Sequence, residues 1–168
     1  MLYVRIIKHQ DLAEELLFSI CNIKAIAWPY DLNSQKEWIT KNLLNNDCHF
    51  LLYDERKLIA YMNLVNIQIT INYNKKQGLG IGNVCSLEKG KGYGAELIKA
   101  GNKYLHEVNV AGLLFCNKSL IDFYKKYGWN FVPKDKISFS NVSENTFETM
   151  LFNIPCPIES ILYGDRLF

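Results

Sequence analysis

The chain has 168 residues, 49% of them hydrophobic and 21% charged, with a net charge of +2. That length suffices for a sizeable core, and the apolar fraction excludes a disordered chain. So small a charge gives no ground for nucleic acid or a membrane surface as partner, and no apolar run reaches membrane-spanning length.

Residues 1–8 are apolar and β-branched and predict a first strand. Asp11, with Glu14 three residues on, reads as a capping box. Leu12, Leu16, Leu17, Ile20 and Ile23 then recur at helical spacing. Pro29 ends that region. Ser34 with Glu37 reads as a second capping box opening a short helix to about Leu44. Residues 49–53 predict a strand, 54–57 a polar turn and 58–72 a long strand, in which Ile67, Ile69 and Ile71 keep a period of two. Residues 74–78 predict a turn. The apolar run 81–87 leads into a glycine-rich turn and then a helical pattern. A short strand at 112–116 follows, then a helix at 119–127 closed by Gly128. A strand at 129–132 stops at Pro133. Residues 134–145 read as a polar loop, 147–154 as a last strand and 155–168 as an apolar tail without regular structure. The order is β-α-α-β-β-β-α-β-α-β-β, an α/β chain forming one domain over residues 1–168.

The five cysteines, Cys21, Cys48, Cys85, Cys116 and Cys156, are odd in number and contain no C-x-x-C pair. They predict buried free thiols in a reducing compartment, with neither a disulfide framework nor a metal site. Residues 1–10 lack the apolar core of a signal peptide, so the expected location is cytoplasmic.

The chemistry gathers at Lys89-Gly90-Lys91-Gly92-Tyr93-Gly94. A glycine turn at a helix start exposes unpaired N–H groups at the positive end of the helix dipole, where an anion such as phosphate binds. A P-loop would need Gly-Lys followed by Ser or Thr, and a dinucleotide fingerprint would need G-x-G-x-x-G with an acid about 20 residues on. Neither is present. A third pattern fits: Arg or Gln, two residues, Gly, one residue, then Gly or Ala, here with Lys89 in first place. Further on, Asn117 stands before Phe123-Tyr124 and Gly128-Trp129. On these two motifs the chain resembles the GNAT superfamily of acyl-CoA-dependent N-acetyltransferases.

That resemblance implies a central mixed, mostly antiparallel sheet of about seven strands, flanked by four helices and splayed at its central strands. It implies acetyl-CoA as co-substrate and no metal. Val84, Cys85 and Ser86 would hold the pantetheine through their main chain. The N–H near Val84 would polarise the thioester carbonyl. Lys89, Gly90, Lys91, Gly92, Tyr93, Gly94 and Ala95 would hold the diphosphate. Asn117 would contact the cofactor, cap its helix, or do both. Tyr124 would serve the leaving thiolate, either as an acid of lowered pKa or through a hydrogen bond.

An ammonium of pKa ~10.4 must also lose its proton, an uphill step of roughly 4.6 kcal/mol at pH 7. The family's strand glutamate is missing from Gly80-Ile81-Gly82-Asn83. A water held by Asn83 is one substitute, and Asp31, Glu88 or Asp165 are others. His49 and His106 titrate in the useful range but read as structural or solvated. Direct transfer leaves Cys85 without an acyl role. The ending Gly164-Asp165-Arg166-Leu167-Phe168 resembles, in outline, the tail of the aminoglycoside 2′-N-acetyltransferase branch. It implies a small primary amine, plausibly an amino sugar or aminoglycoside, met by Asp31, Asp165 and the Phe168 carboxylate. Protein or peptide N-acetylation and a non-catalytic acyl-CoA-binding regulator are the alternatives. The expected partner is a small-molecule amine, with a homodimer left open.

Overall fold

The structure, a computed structural model, describes residues 1–141, 146–154, 157–166 and 168. Cys156, part of the 134–145 loop and part of the 155–168 tail therefore lie outside the described residues. Nine strands and four α-helices form among them, two strands more than the sequence predicts. The chain makes two compact units. One comprises Met1–Val65, Gly82–Gly101 and Phe168, the other Asn66–Ile81 and Asn102–Leu167.

In the first unit, β1 (Leu2–Lys8) runs antiparallel to β2 (Cys48–Asp54), from Leu2↔Asp54 to Lys8↔Cys48. β2 runs antiparallel to the start of β3 (Lys57–Ile71), with His49 opposite Asn63 and Leu51 opposite Tyr61. α1 (Glu14–Ala27) and α2 (Leu32–Asn42) supply Ile20, Cys21, Ile23 and Ile39 to a core shared with Ile7, Leu51, Tyr61 and Cys85. Burial of each large aliphatic side chain there is worth roughly 1.5–3 kcal/mol.

Both capping boxes are corrected. Asp11 belongs to a 3₁₀ turn, His9–Asp11, and α1 starts behind Ala13 with no side-chain cap. α2 is capped by Asp31 rather than Ser34. The Asp31 carboxylate accepts from Ser34 N at 3.0 Å and Ser34 Oγ at 2.6 Å, so Ser34 lies inside the first turn as a donor.

In the second unit the turn expected at 74–78 falls two residues earlier. Asn72 and Tyr73 take left-handed φ values of 47° and 63°, the pattern of a tight primed hairpin turn. β4 (Asn74–Ser86) starts immediately after them, and its polar first residues are strand rather than loop. β4 runs parallel to β5 (Ala111–Cys116) from Gly78↔Ala111 to Ile81↔Leu114. β5 pairs antiparallel with β8 (Glu148–Phe152), and β8 with β6 (Asn130–Val132).

The two unforeseen strands are β7 (Ile137–Phe139), inside the predicted loop, and β9 (Ile161–Tyr163), inside the predicted tail. They pair in parallel with each other, and β9 also pairs with β3 at Thr70↔Leu162. Three residues are too few to show an alternation, and each strand owes its form to a distant partner.

α3 (Tyr93–Glu107) and α4 (Ile121–Lys126) complete the element set, α4 entered through a 3₁₀ turn, Lys118–Leu120. Trp129, 2% exposed, donates through Nε1 to Asn102 Oδ1 at 2.9 Å, and Asn102 Nδ2 donates to Tyr127 O at 2.8 Å. Gly112 makes room for that indole: a Cβ there would lie 2.8 Å from the ring. No helix among the described residues is long and apolar enough to cross a membrane.

Candidate functional site

β4 ends in an irregular stretch. Asn83 sits within the strand at φ 54°, a left-handed value that asparagine tolerates better than most residues. Its Nδ2 donates to Asn63 Oδ1 on β3 at 2.6 Å. Leu87 N donates to Ile59 O and Ser86 Oγ to Glu88 O, both at 2.9 Å, which fixes the exit from the strand.

The glycine turn follows. Gly90 and Gly92 have φ of 78° and 79°, values a side chain would strain. A Cβ on either would meet nothing within 4 Å, so both glycines face open space. Residues 88–92 are exposed. Among the described residues, the main-chain nitrogens of 89–93 donate to no protein acceptor, and the first amide taken up by α3 is Glu96 N, donating to Gly92 O at 3.2 Å. The turn therefore presents a row of free donors at the positive end of a 15-residue helix. The only ion pair among the described residues of this turn is a loose one, Lys91 to Glu88 at 3.9 Å.

Cys85 is 8% exposed, and burial pushes its thiol up to about 12. At neutral pH it is a protonated thiol and a poor nucleophile. Val84 beside it is half-buried.

In the second unit, Tyr124 is 5% exposed on α4, and burial raises its phenol above the ordinary value, with the Cys116 thiol adding to the rise. That rise runs against the lowered pKa expected of an acid. Its hydroxyl has no partner among the described residues. Asn117 precedes the 3₁₀ turn with an exposed side chain that makes no capping bond, so the cap reading is corrected. Only its carbonyl is used, accepting from Leu120 N at 2.9 Å.

The acids expected to meet an amine are engaged with their own backbone. Asp31 is the exposed cap of α2, held below the usual carboxylate range by its Ser34 hydrogen bonds. Asp165 accepts from Gln68 N at 2.6 Å and from Arg166 N at 2.9 Å. Phe168 behaves differently. Its main chain lies against the central strand, where a Cβ on Gly82 would be 2.4 Å from the Phe168 carbonyl carbon.

His49 is fully buried, and desolvation lowers it to about 3. Its Nδ1 lies 2.9 Å from the Tyr61 hydroxyl and its Nε2 3.0 Å from His9 Nδ1, the structural role expected of it. His106 packs edgewise on Phe152. Cys21, Cys48 and Cys116 are also buried, and none forms a disulfide among the described residues.

The sequence reading passed over two residues. Lys24, 2% exposed on α1, holds its ammonium 4.0 Å from the Trp38 ring centre. Asn63, 0% exposed, has an Nδ2 with no hydrogen-bond partner. Both signals were present in the sequence. Lys24 falls four residues after Ile20 in the apolar stripe, and Asn63 falls between Tyr61 and Val65 on the inward face of β3.

No family model and no curated protein matches the chain. Solved structures do. An acyl-CoA N-acyltransferase from Pseudomonas aeruginosa is 18% identical, with a TM-score of 0.65 over 90% of this chain and 99% of its own. The chain has the GNAT fold. An aminoglycoside 6′-N-acetyltransferase complexed with coenzyme A is 13% identical, with a TM-score of 0.66 over 91% of this chain and 99% of its own. A GNAT family acetyltransferase from Brucella melitensis in complex with acetyl-CoA is 16% identical, with a TM-score of 0.58 over 96% of each chain. At such identities the likeness speaks for the GNAT fold and leaves the chemistry to the residues.

Proposed function

We propose that this chain transfers an acetyl group from acetyl-CoA to a primary amine of a small molecule. The observation that carries the reading is the row of amides at 89–93, unpartnered among the described residues and open to space at Gly90 and Gly92, where α3 begins. Residues 89–95 would bind the diphosphate, and the main chain of Val84, Cys85 and Ser86 the pantetheine. Acetyl-CoA supplies an activated acyl group as its thioester. The amine attacks the thioester carbonyl, a C–N bond forms, the C–S bond breaks and coenzyme A leaves as thiolate. The N–H near Val84 would carry the charge that develops on the carbonyl oxygen. Tyr124 would donate a hydrogen bond to the thiolate. The high pKa of Cys85 supports direct transfer over an acyl-cysteine. β4 offers no carboxylate base, so the amine's proton would leave through a water bound at Asn83, whose Nδ2 is already given to Asn63.

An amino sugar fits this acceptor class, supported by the tail resemblance. The backbone hydrogen bonds of Asp31 and Asp165 weigh against those two acids as its receptors. The missing strand carboxylate favours one other reading, an acyl-CoA-binding regulator. Calorimetry with coenzyme A together with thiol release across an amine library tests both. Binding with turnover supports the transferase, binding with no turnover of any amine supports the regulator, and absence of binding removes both.

A further inference from the structure

Polar side chains form a buried row across the strands of the first unit. His49 on β2 stands opposite Asn63 on β3, so the two side chains leave the same face of the sheet. Asn63 Oδ1 accepts from Asn83 Nδ2 on β4 at 2.6 Å. Tyr61, two residues before Asn63, shares that face. It stands opposite Leu51, yet its hydroxyl lies 2.9 Å from His49 Nδ1. The phenol therefore leans along the strand to the level of Asn63. His49 Nε2 in turn lies 3.0 Å from His9 Nδ1. Tyr61, His49 and Asn63 are each 0% exposed, whereas His9, in the turn after β1, is only half-buried.

The row thus runs from Asn83, where the amine's proton would leave, to the protein surface at His9. One link is incomplete. Asn63 Nδ2 has no hydrogen-bond partner among the described residues, although the main chain of Phe168 lies beside it at Gly82. A buried amide almost always finds a partner, ordered water included. A water accepting from Nδ2 would stand at the level of the Tyr61 hydroxyl.

We propose that this row carries the acceptor's proton to solvent, with Tyr61, His49 and His9 as the relay. The inference rests on the acetyl-transfer reading and supplies the route beyond Asn83 that the reading needs. A proton passes from the water at Asn83 to the water at Asn63, and from there to the Tyr61 oxygen. The phenol's own proton moves to His49 Nδ1, the proton on His49 Nε2 moves to His9 Nδ1, and the proton on His9 Nε2 goes to solvent. One proton enters, one leaves, and each group ends neutral. His49 keeps its structural bonds while serving this transfer.

The charged and titratable groups around the row suit that direction. Burial holds His49 down to about 3, His9 and Lys24 push the same way, and Asp47 opposes them. Burial, with the Cys85 and Cys21 thiols, keeps Tyr61 a phenol. Neither inner group therefore retains a charge at neutral pH. His9 is lowered by burial and raised by Asp47. Asp47 is 1% exposed, its carboxylate accepts from Leu44 N at 2.7 Å and its carbonyl from His9 N at 2.8 Å. The buried negative charge thus draws a proton toward the outer end.

One arm of the test needs no substrate. Ring-nitrogen NMR of the protein alone should find His49 protonated at Nε2 and bare at Nδ1, with the Nδ1 signal shifted by Tyr61→Phe. A proton on Nδ1 would overturn the relay. The other arm follows thiol release from acetyl-CoA with the fastest amine of a library. His9→Gln and Tyr61→Phe should each lower kcat about tenfold in dilute buffer and raise the solvent deuterium isotope effect. Added methylimidazole should restore His9→Gln, whose gap opens to solvent, and leave Tyr61→Phe slow. A structural role alone predicts no such rescue. His9→Gln decides the matter should Tyr61→Phe fail to fold. Wild-type kcat in the variants, or a loss at His9 that the added base does not restore, overturns the relay and leaves the transferase. A wild-type protein that binds no acetyl-CoA, or turns over no amine, removes the transferase and the relay with it.

Discussion

Replacing Tyr124 with phenylalanine tests the chemistry most directly. The phenol starts near pKa ~10 and the leaving thiol near ~8.5, so complete proton transfer in solution is uphill by roughly 2 kcal/mol. Burial of Tyr124 raises the phenol and widens that gap. What remains is a hydrogen bond to an anionic sulfur, worth about 1.5–3 kcal/mol when the acceptor is charged. At 1.36 kcal/mol per tenfold, Tyr124→Phe should lower kcat by about 10- to 150-fold. The hydroxyl has no partner among the described residues, so the fold should hardly notice its loss, and Tm should stay within about 2 °C. Because the phenol stays protonated, the wild-type pH–rate profile should show no descending limb from this group below pH ~10. Thiol release with saturating acetyl-CoA measures kcat, and calorimetry with coenzyme A checks binding. A variant that keeps kcat within twofold of wild type, or loses kcat/KM only through a higher KM, would refute the assigned role.

Other outcomes follow from the same geometry. Gly92→Ala puts a Cβ on a residue at φ 79°, so it should cost about 1 kcal/mol in stability and raise the acetyl-CoA KM severalfold, read by thermal melting and steady-state kinetics. Gly82→Ala drives a Cβ to 2.4 Å from the Phe168 carbonyl carbon and should either displace that residue or cost about 1–3 kcal/mol, seen as a lower Tm in thermal melting. His49 is lowered in the folded state from 6.5 to about 3, so the unfolded chain binds the extra proton between those values. Stability from this group is complete above pH ~6.5 and falls as pH drops, by about 2 kcal/mol at pH 5. Urea unfolding from pH 7.5 to 4.5 should show that slope, and His49→Gln should flatten it. Intact mass after mixing with acetyl-CoA at pH 7 should show no acetyl group on Cys85, whose thiol lies near 12.

Much of the fold was legible because periodicity reports burial. The isoleucines of β3, the apolar spacing of α1 and the glycine turn before α3 all read directly from the chain. What escaped depended on partners far away in sequence. β7 and β9 are three residues each and exist through mutual pairing. The hairpin turn was misplaced because Asn74-Lys75-Lys76-Gln77-Gly78 has turn composition, while the left-handed pair Asn72-Tyr73 carries no glycine. Asp31 won the cap from Ser34 because aspartate one turn earlier could take both Ser34 donors. At the site, the glycine turn was visible from residue types alone. Lys24 and Asn63 were visible only as polar residues in apolar positions, a signal that gains meaning once their neighbours are known.

Asn72 is more than a hairpin turn. Its side chain donates to Pro157 O at 2.8 Å and accepts from Glu159 N at 2.8 Å and Ser160 N at 3.2 Å, while its own amide donates to Ser160 O at 2.8 Å. A two-residue turn closes within microseconds, but the contacts it gathers join positions more than eighty residues apart and carry a far larger loop-closure penalty. The segment around β9 should therefore dock last during refolding and open first under native conditions. Amide exchange at residues 159–163 would then run ahead of the β2–β3 ladder, making Asn72 the clasp that sets how long the end of the chain stays fastened.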